Sequence, residues 1–223
     1  MAGGRRGKAS RGQVGRILVP GQTLTTEAFV IEKRPPSDAF QTFGLFSAEH
    51  GNLLALQRIP RKPSPSHVAP DLFDTISAML ESSNQGRTWF VREVRIVARR
   101  AAIGRSYEAL RFASALVAVI SRNPVHEESR PSVERLLRTA LDAFVAGGRP
   151  DIVHLKSLYL FARDEGYPVM QEWLPSLPAA DRAAAAAVLN RRLSEQDTAP
   201  ADAARVRRSL EDYLKSSTEI IVP

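Results

Sequence analysis

The stretch over residues 27–62, EAFVIEKRPPSDAFQTFGLFSAEHGNLLALQRIPRK, does most to constrain what this chain can fold into. Three short apolar runs rich in Val, Ile, Leu and Phe are parted by Pro35-Pro36-Ser37-Asp38 and by Glu49-His50-Gly51-Asn52, which are breaker and turn chemistry. The order is strand, strand, tight turn, strand, then a basic loop. The product expected is a small antiparallel barrel with positive charge on its rim.

The strands predicted here are residues 29–33, 40–46 and 53–59. Gly44, inside the second apolar run, marks a bulge or bend of the kind a small barrel needs at its corners. In the third strand Leu53, Ala55, Gln57 and Ile59 share one face and Leu54, Leu56 and Arg58 the other, so both faces are largely apolar. Two further strands are expected at residues 72–80 and 88–98, joined through Ser82-Ser83-Asn84-Gln85-Gly86 as a hairpin loop. Five short strands within about seventy residues, with no strand pattern beyond them, is the element count of an OB-fold barrel.

Charge is distributed unevenly. Residues 1–105 hold sixteen Lys and Arg against eight Asp and Glu, while the remainder is close to neutral, so the net charge of +7 belongs to the front half. Such a field attracts polyanions, of which nucleic acid is the commonest. Between the third and fourth strands, Arg58, Arg61 and Lys62 stand among Pro60, Pro63 and Pro65 in a stiff loop that cannot join a sheet. It is either a phosphate-contacting loop or a hydrophilic connection, and Arg87, Arg92, Arg95, Arg99, Arg100 and Arg105 add cations from the same domain. Residues 1–16 carry five more cations and no acid, the composition of a disordered basic arm that is a polyanion tether or an inert tail. Gly7-Lys8 is no phosphate loop: Ala2 stands where the first Gly belongs and Ala9 follows the Lys.

At Gly104 the hydrophobic period lengthens from two to about 3.6. Residues 107–121, YEALRFASALVAVIS, are apolar nearly all round and predict a buried central helix. Val133, Leu136, Leu137, Ala140, Leu141 and Phe144 predict a second helix between Pro131 and Gly147-Gly148. A third is expected to be capped by Asp151, with Ile152, Leu155, Tyr159 and Ala162 as its stripe. Residues 173–178 read as a connector, 179–193 as an alanine-rich helix, and 201–216 as a last helix with Ala203, Val206, Leu210, Tyr213 and Leu214 inward. The apolar tail Ile220-Ile221-Val222-Pro223 can dock or fray. The class is therefore α+β, with a basic arm (1–22), an OB-fold domain (23–103) and a helical domain (104–223).

Catalytic chemistry finds little support. The absence of cysteine rules out disulfides, thiolate nucleophiles and cysteine-built zinc sites, and fits a reducing compartment. His50, His67, His126 and His154 are scattered without metal-ligand spacing, and each reads as an ordinary surface or core histidine. Glu127-Glu128 and Asp164-Glu165 read as solvated charge at helix ends. No apolar run approaches the ~20 residues that span a bilayer, and no apolar stretch of secretory-signal type follows the N-terminal cations. No enzyme, metal or cofactor is expected. Trp89 and Phe29, Phe40, Phe43, Phe46, Phe73 and Phe90 lie in the predicted strands; alternation makes most of them core by default, with a base-stacking platform as the lesser reading.

Residues 27–34 (EAFVIEKR), the segment FQTFGLFSAEHGNLLAL with its F-S-x-E-H-G turn, the basic loop after it, and YEALRFASALVAVI opening a helical half together resemble the RecO family, bacterial recombination mediators of DNA repair. The likeness covers residues 26–167, with a looser match around Asp212-Tyr213-Leu214-Lys215-Ser216. It implies an N-terminal OB-fold, a C-terminal helical domain, binding and annealing of single- and double-stranded DNA, partnership with RecR, docking of the C-terminal tail of the single-stranded DNA-binding protein, and a cytoplasmic place at the nucleoid. Many members carry a cysteine zinc cluster in the helical part, which this chain cannot form. The basic arm lies outside the family pattern. The DNA-binding residues expected are Lys33, Arg34, Arg58, Arg61, Lys62, Arg87, Arg92, Arg99 and Arg100. The other readings are an OB-fold scaffold acting through protein partners and an RNA-binding OB protein.

Overall fold

The computed structural model describes residues 21–62, 67–82 and 85–223. The basic arm through residue 20, residues 63–66 of the proline loop and residues 83–84 of the hairpin loop lie outside the described residues. β1 (Gln22–Lys33), β2 (Phe40–Ser47), β3 (Gly51–Arg58), β4 (Thr75–Ser82) and β5 (Trp89–Ala98) close into a barrel in the order β1-β2-β3-β5-β4, with β4 returning to β1. All pairings are antiparallel except β3 with β5, which run parallel through Ala55 opposite Trp89 and Leu56 opposite Phe90. The barrel is OB-like, as the five-strand count predicts.

β1 shows why its apolar run is continuous. Ala28 and Val30 point into the barrel, while Phe29 and Ile31 point outward into a second core that they share with the helices. A strand buried on both faces loses the alternation of a half-buried one. Its first half, Gln22–Glu27, is Thr-rich and mostly exposed, which is why the strand begins well before the predicted residue 29. The bulge foreseen at Gly44 falls on the partner strand: the β1–β2 register slips between Val30 and Glu32, and a Cβ on Gly44 would stand 2.8 Å from that of Glu32.

The fourth strand is shorter than its apolar pattern predicts. Leu72-Phe73-Asp74 forms a turn, in which Phe73 takes a left-handed φ of 72°. Asp74 Oδ2 accepts from the Asp71 N–H at 2.8 Å, and Phe73 N–H donates to the Val30 carbonyl at 2.9 Å. The turn throws the Phe73 ring into the helical core, where it is buried.

The helical half comprises α1 (Tyr107–Arg122), α2 (Arg130–Ala146), α3 (Pro150–Asp164), the single turn α4 (Leu174–Ser176), α5 (Ala179–Asn190) and α6 (Pro200–Ser217). The six predicted apolar positions of α2 are all buried. Three readings need correction. The most deeply buried helix is α3, not α1: in α3 Val153, His154, Ser157, Leu158 and Phe161 join the predicted stripe, whereas α1 leaves Tyr107 and Leu110 exposed. Asp151 does not cap α3; Arg149 occupies that position and Asp151 lies in the first turn, ion-paired to it at 2.8 Å. Residues 173–178 are largely helical, continuing from a π-turn at Val169–Trp173 into α4.

Barrel and helices meet through polar bonds as well as through the shared core. Gly51, with φ 68°, lets the E-H-G turn lie against α2, where Arg130 Nη1 donates to the Glu49 carbonyl at 3.2 Å. Asn52 Nδ2 donates to the Ile120 carbonyl at the end of α1, 3.1 Å away. The tail docks: Ile220 is buried, and Asn123 Oδ1 accepts from the Ile221 N–H at 2.8 Å.

Candidate nucleic-acid interface

OB barrels bind oligonucleotides on the face of strands 2 and 3 and on the loops joining strands 1–2 and 4–5. In this chain that side is built by the outward residues of β2 and β3, by residues 34–39 and by the loop carrying Arg87. Parity along the strands fixes which residues face out. Phe43, Leu45 and Ala55 belong to the barrel core, so Phe40, Thr42, Leu54, Leu56 and Arg58 point away from it.

The nine cations expected to contact nucleic acid fall into three groups. Arg58, Arg61, Lys62 and Arg87 are exposed and have no ion-pair or hydrogen-bond partner among the described residues. Arg58 ends β3 directly across from Phe40, with Arg61 and Lys62 in the loop behind it. Lys33, Arg34, Arg92 and Arg99 are solvent-accessible but paired: Lys33 with Asp71 at 2.9 Å, Arg34 with Glu32 at 3.0 Å, Arg92 with Glu81, and Arg99 with the buried carboxylate of Asp74 at 3.1 Å. The Lys33 ammonium holds the Asp71 carboxyl below the usual carboxylate range. Surface pairs of this kind are worth only about 0 to 1 kcal/mol, so a phosphate can compete for the first three.

Arg100 is the exception, being the one of the nine that is buried. It is 4% exposed, and its guanidinium donates to Asp142 Oδ1 at 2.8 Å, to Thr75 Oγ1 at 2.8 Å and to the Phe73 carbonyl at 3.1 Å. Phe29 lies between it and Arg138, with the two guanidinium carbons 5.7 and 5.4 Å from the ring centre. Arg100 clamps barrel to bundle through its Nε and Nη1. Arg95, by contrast, is exposed and unpartnered among the described residues on the outside of β5; period-two alternation from Val94 and Ile96 identifies it as outward.

The aromatic residues divide cleanly. Phe29, Phe43, Phe46, Phe73 and Trp89 are core. Phe40 and Phe90 are only half-buried, belong to neither core, and meet edge to face over β3 with ring centres 5.8 Å apart.

Elsewhere, a groove of about 540 Å³ runs between α2 and α3. Leu136, Ala140, Val153 and Leu160 are among its apolar lining residues, and Arg135, Lys156, Arg163 and Asp164 line it too, the last two ion-paired at 2.7 Å. Burial pushes the Lys156 ammonium pKa down, and its Nζ donates to the Arg191 carbonyl at 2.7 Å. Glu165, read from the sequence as solvated, has a side chain only 3% exposed; it accepts from the backbone N–H of His126 at 3.3 Å and lies 2.8 Å from that residue's Nδ1. Among the described residues no group of three His, Asp or Glu side chains is placed to hold a metal ion, and no helix is long and apolar enough to cross a membrane.

No known family model matches the chain, and no curated protein matches it either. What the structure shows is an OB-like five-stranded barrel followed by helices.

Proposed function

We propose that this chain is a non-enzymatic DNA-binding protein of the recombination-mediator kind, acting in DNA repair. In this reading it binds single- and double-stranded DNA, promotes strand annealing and helps load a recombinase together with RecR and the single-stranded DNA-binding protein, at the nucleoid in the cytoplasm. The observation that carries the reading is the set of exposed cations without a partner among the described residues, Arg58, Arg61, Lys62 and Arg87, which support binding on the side of the barrel that OB folds use for oligonucleotides. The likeness to RecO in strand order, E-H-G turn and helical half supplies the biological context.

The test is the salt dependence of oligonucleotide binding. If about five phosphates are neutralised, log K against log salt has a slope near −4, at roughly −0.7 to −0.9 per contact. Charge reversal of Arg58, Arg61 and Lys62 together removes about 2 to 3 from that slope and weakens binding with little dependence on sequence. A flat salt dependence in the unaltered protein would overturn the electrostatic account.

The groove between α2 and α3 supports a second reading, in which the helical half is the working part and the protein is a scaffold. Apolar and cationic side chains lining one groove suit an acidic peptide with apolar side chains, such as the tail of the single-stranded DNA-binding protein. A fluorescent oligonucleotide and a fluorescent tail peptide, titrated separately, discriminate the two. Capture of the peptide without the oligonucleotide favours the scaffold.

A further inference from the structure

The outer face of β2, β3 and the start of β5 carries a row of apolar side chains that neither core claims. Phe40, Leu54, Leu56 and Phe90 are each half-buried and pack into neither hydrophobic cluster. Sheet register makes them contiguous: Leu56 stands opposite Phe90, and Phe40 lies opposite Arg58 one outward position further along β3. The two rings meet across the strand between them. Such a strip on a solvent-facing sheet loses hydrophobic free energy unless something covers it.

We propose that Phe40 and Phe90 form a base-stacking platform for single-stranded DNA, and that it confers a preference for single strands over duplex. This rests on the DNA-binding reading above and sharpens it. The occupant is indicated by the surroundings of the rings. Arg58 is an exposed cation without a partner among the described residues, opposite Phe40; Arg61 and Lys62 follow it, and Arg87 precedes Phe90 by three positions. The acid directly opposite Phe90, Glu81, is ion-paired to Arg92. Apolar rings flanked by exposed cations match a strand whose unpaired bases offer π-faces and whose backbone is anionic. A duplex keeps its base faces stacked inside, so it can engage the cations but not the rings.

The experiment compares oligo(dT), oligo(U) and a DNA duplex of equal length on the full chain, with two paired variants. Phe40→Leu with Phe90→Leu keeps the apolar bulk but removes the aromatic faces. Phe40→Tyr with Phe90→Tyr keeps the faces. The Leu pair should weaken oligo(dT) binding by about tenfold or more, with duplex affinity within about twofold and the salt slope unchanged; the Tyr pair should retain binding. Should the Leu pair fail to fold, Phe40→Leu alone, at the first residue of β2, should still cost oligo(dT) about fivefold. Equal losses for single strand and duplex, or no loss in the Leu variants, would overturn the platform while leaving the electrostatic reading intact. Capture of oligo(U) with neglect of oligo(dT) would overturn the commitment to DNA. If the unaltered protein binds none of the three, the DNA-binding reading itself fails, and the platform with it.

Discussion

The barrel and the helical bundle solve the same burial problem with different means. The barrel's own interior is small, with alanine at three inward positions, Ala28, Ala55 and Ala78, around Phe43, Leu45 and Trp89. The bundle has a far larger core, and four barrel residues, Phe29, Ile31, Phe46 and Phe73, are buried in it. Charge runs the other way: the bundle balances its cations with acids, while the barrel half keeps a surplus, and several of its surface cations have no partner among the described residues. The half that carries the cationic surplus thus draws part of its stability from the half that does not.

The sharpest way to break this comparison is to empty the joint. Phe29→Ala removes a fully buried ring from the shared core together with the surface on which Arg100 and Arg138 rest, and should cost about 3 to 5 kcal/mol. The chain carries one tryptophan in each half, Trp89 in the barrel and Trp173 in the bundle. Single-tryptophan versions therefore report each half separately in urea unfolding. Coincident transitions are expected in the unaltered chain, with the Trp89 transition moving to lower urea ahead of Trp173 in the Phe29→Ala protein. If the Trp89 transition does not move to lower urea after the substitution, the barrel does not depend on the bundle as argued.

Arg100 and the loop cations sharpen the contrast next. Arg100→Ala leaves the Phe73 carbonyl and Thr75 hydroxyl without their buried donor and should cost about 2 to 3 kcal/mol of stability, with oligonucleotide affinity of the folded protein unchanged. Charge reversal at Arg58, Arg61 and Lys62 should do the opposite, changing affinity strongly and stability by only about 0.5 kcal/mol. Affinity and melting measurements on both variants check the pair. A loss of affinity in folded Arg100→Ala would return that residue to the interface.

The same two regions show what could be read from the sequence. The five strands, their turns and the two clearest helices follow from hydrophobic period and breaker residues, because those signals are local. What was not legible depends on partners distant in the chain. Arg99 and Arg100 are neighbours of identical chemistry; one reaches solvent, and the other turns inward to Asp142, forty-two residues on. Leu72-Phe73 continues an apolar run, yet side-chain bonds from Asp71 and Asp74 make it a turn. Glu165 looked solvated because nothing local reveals that His126 covers it. Among the candidate site residues, the basic loop was legible from composition. The pairing of Phe40 with Phe90 was not, since it needs the parallel contact between β3 and β5, which closes the barrel but leaves no mark in the pattern.

A smaller effect separates the halves by pH. His154, in α3, is 3% exposed, packed on Phe112 with ring centres 5.3 Å apart, and its Nδ1 has no hydrogen-bond partner. Burial, reinforced by the positive charges of Arg207 and Arg111, pushes its pKa from 6.5 down to about 4. Glu211, whose carboxylate lies 3.9 Å from Nε2, is engaged by Arg207 at 2.6 Å. Because the folded pKa lies below the unfolded one, the unfolded chain binds the proton more readily. The stability is therefore fully present above about pH 6.5 and is lost as pH falls toward 4, by about 2 kcal/mol at pH 5. His154→Leu removes the titrating group without orphaning a donor. The stability difference between that variant and the unaltered chain should shift by about 2 kcal/mol in favour of the variant between pH 8 and pH 5, as read from urea melts with Trp173 as the probe. Titrations common to both proteins cancel in the difference, so a constant offset across this range would mean that His154 is protonated, or solvated, within the fold.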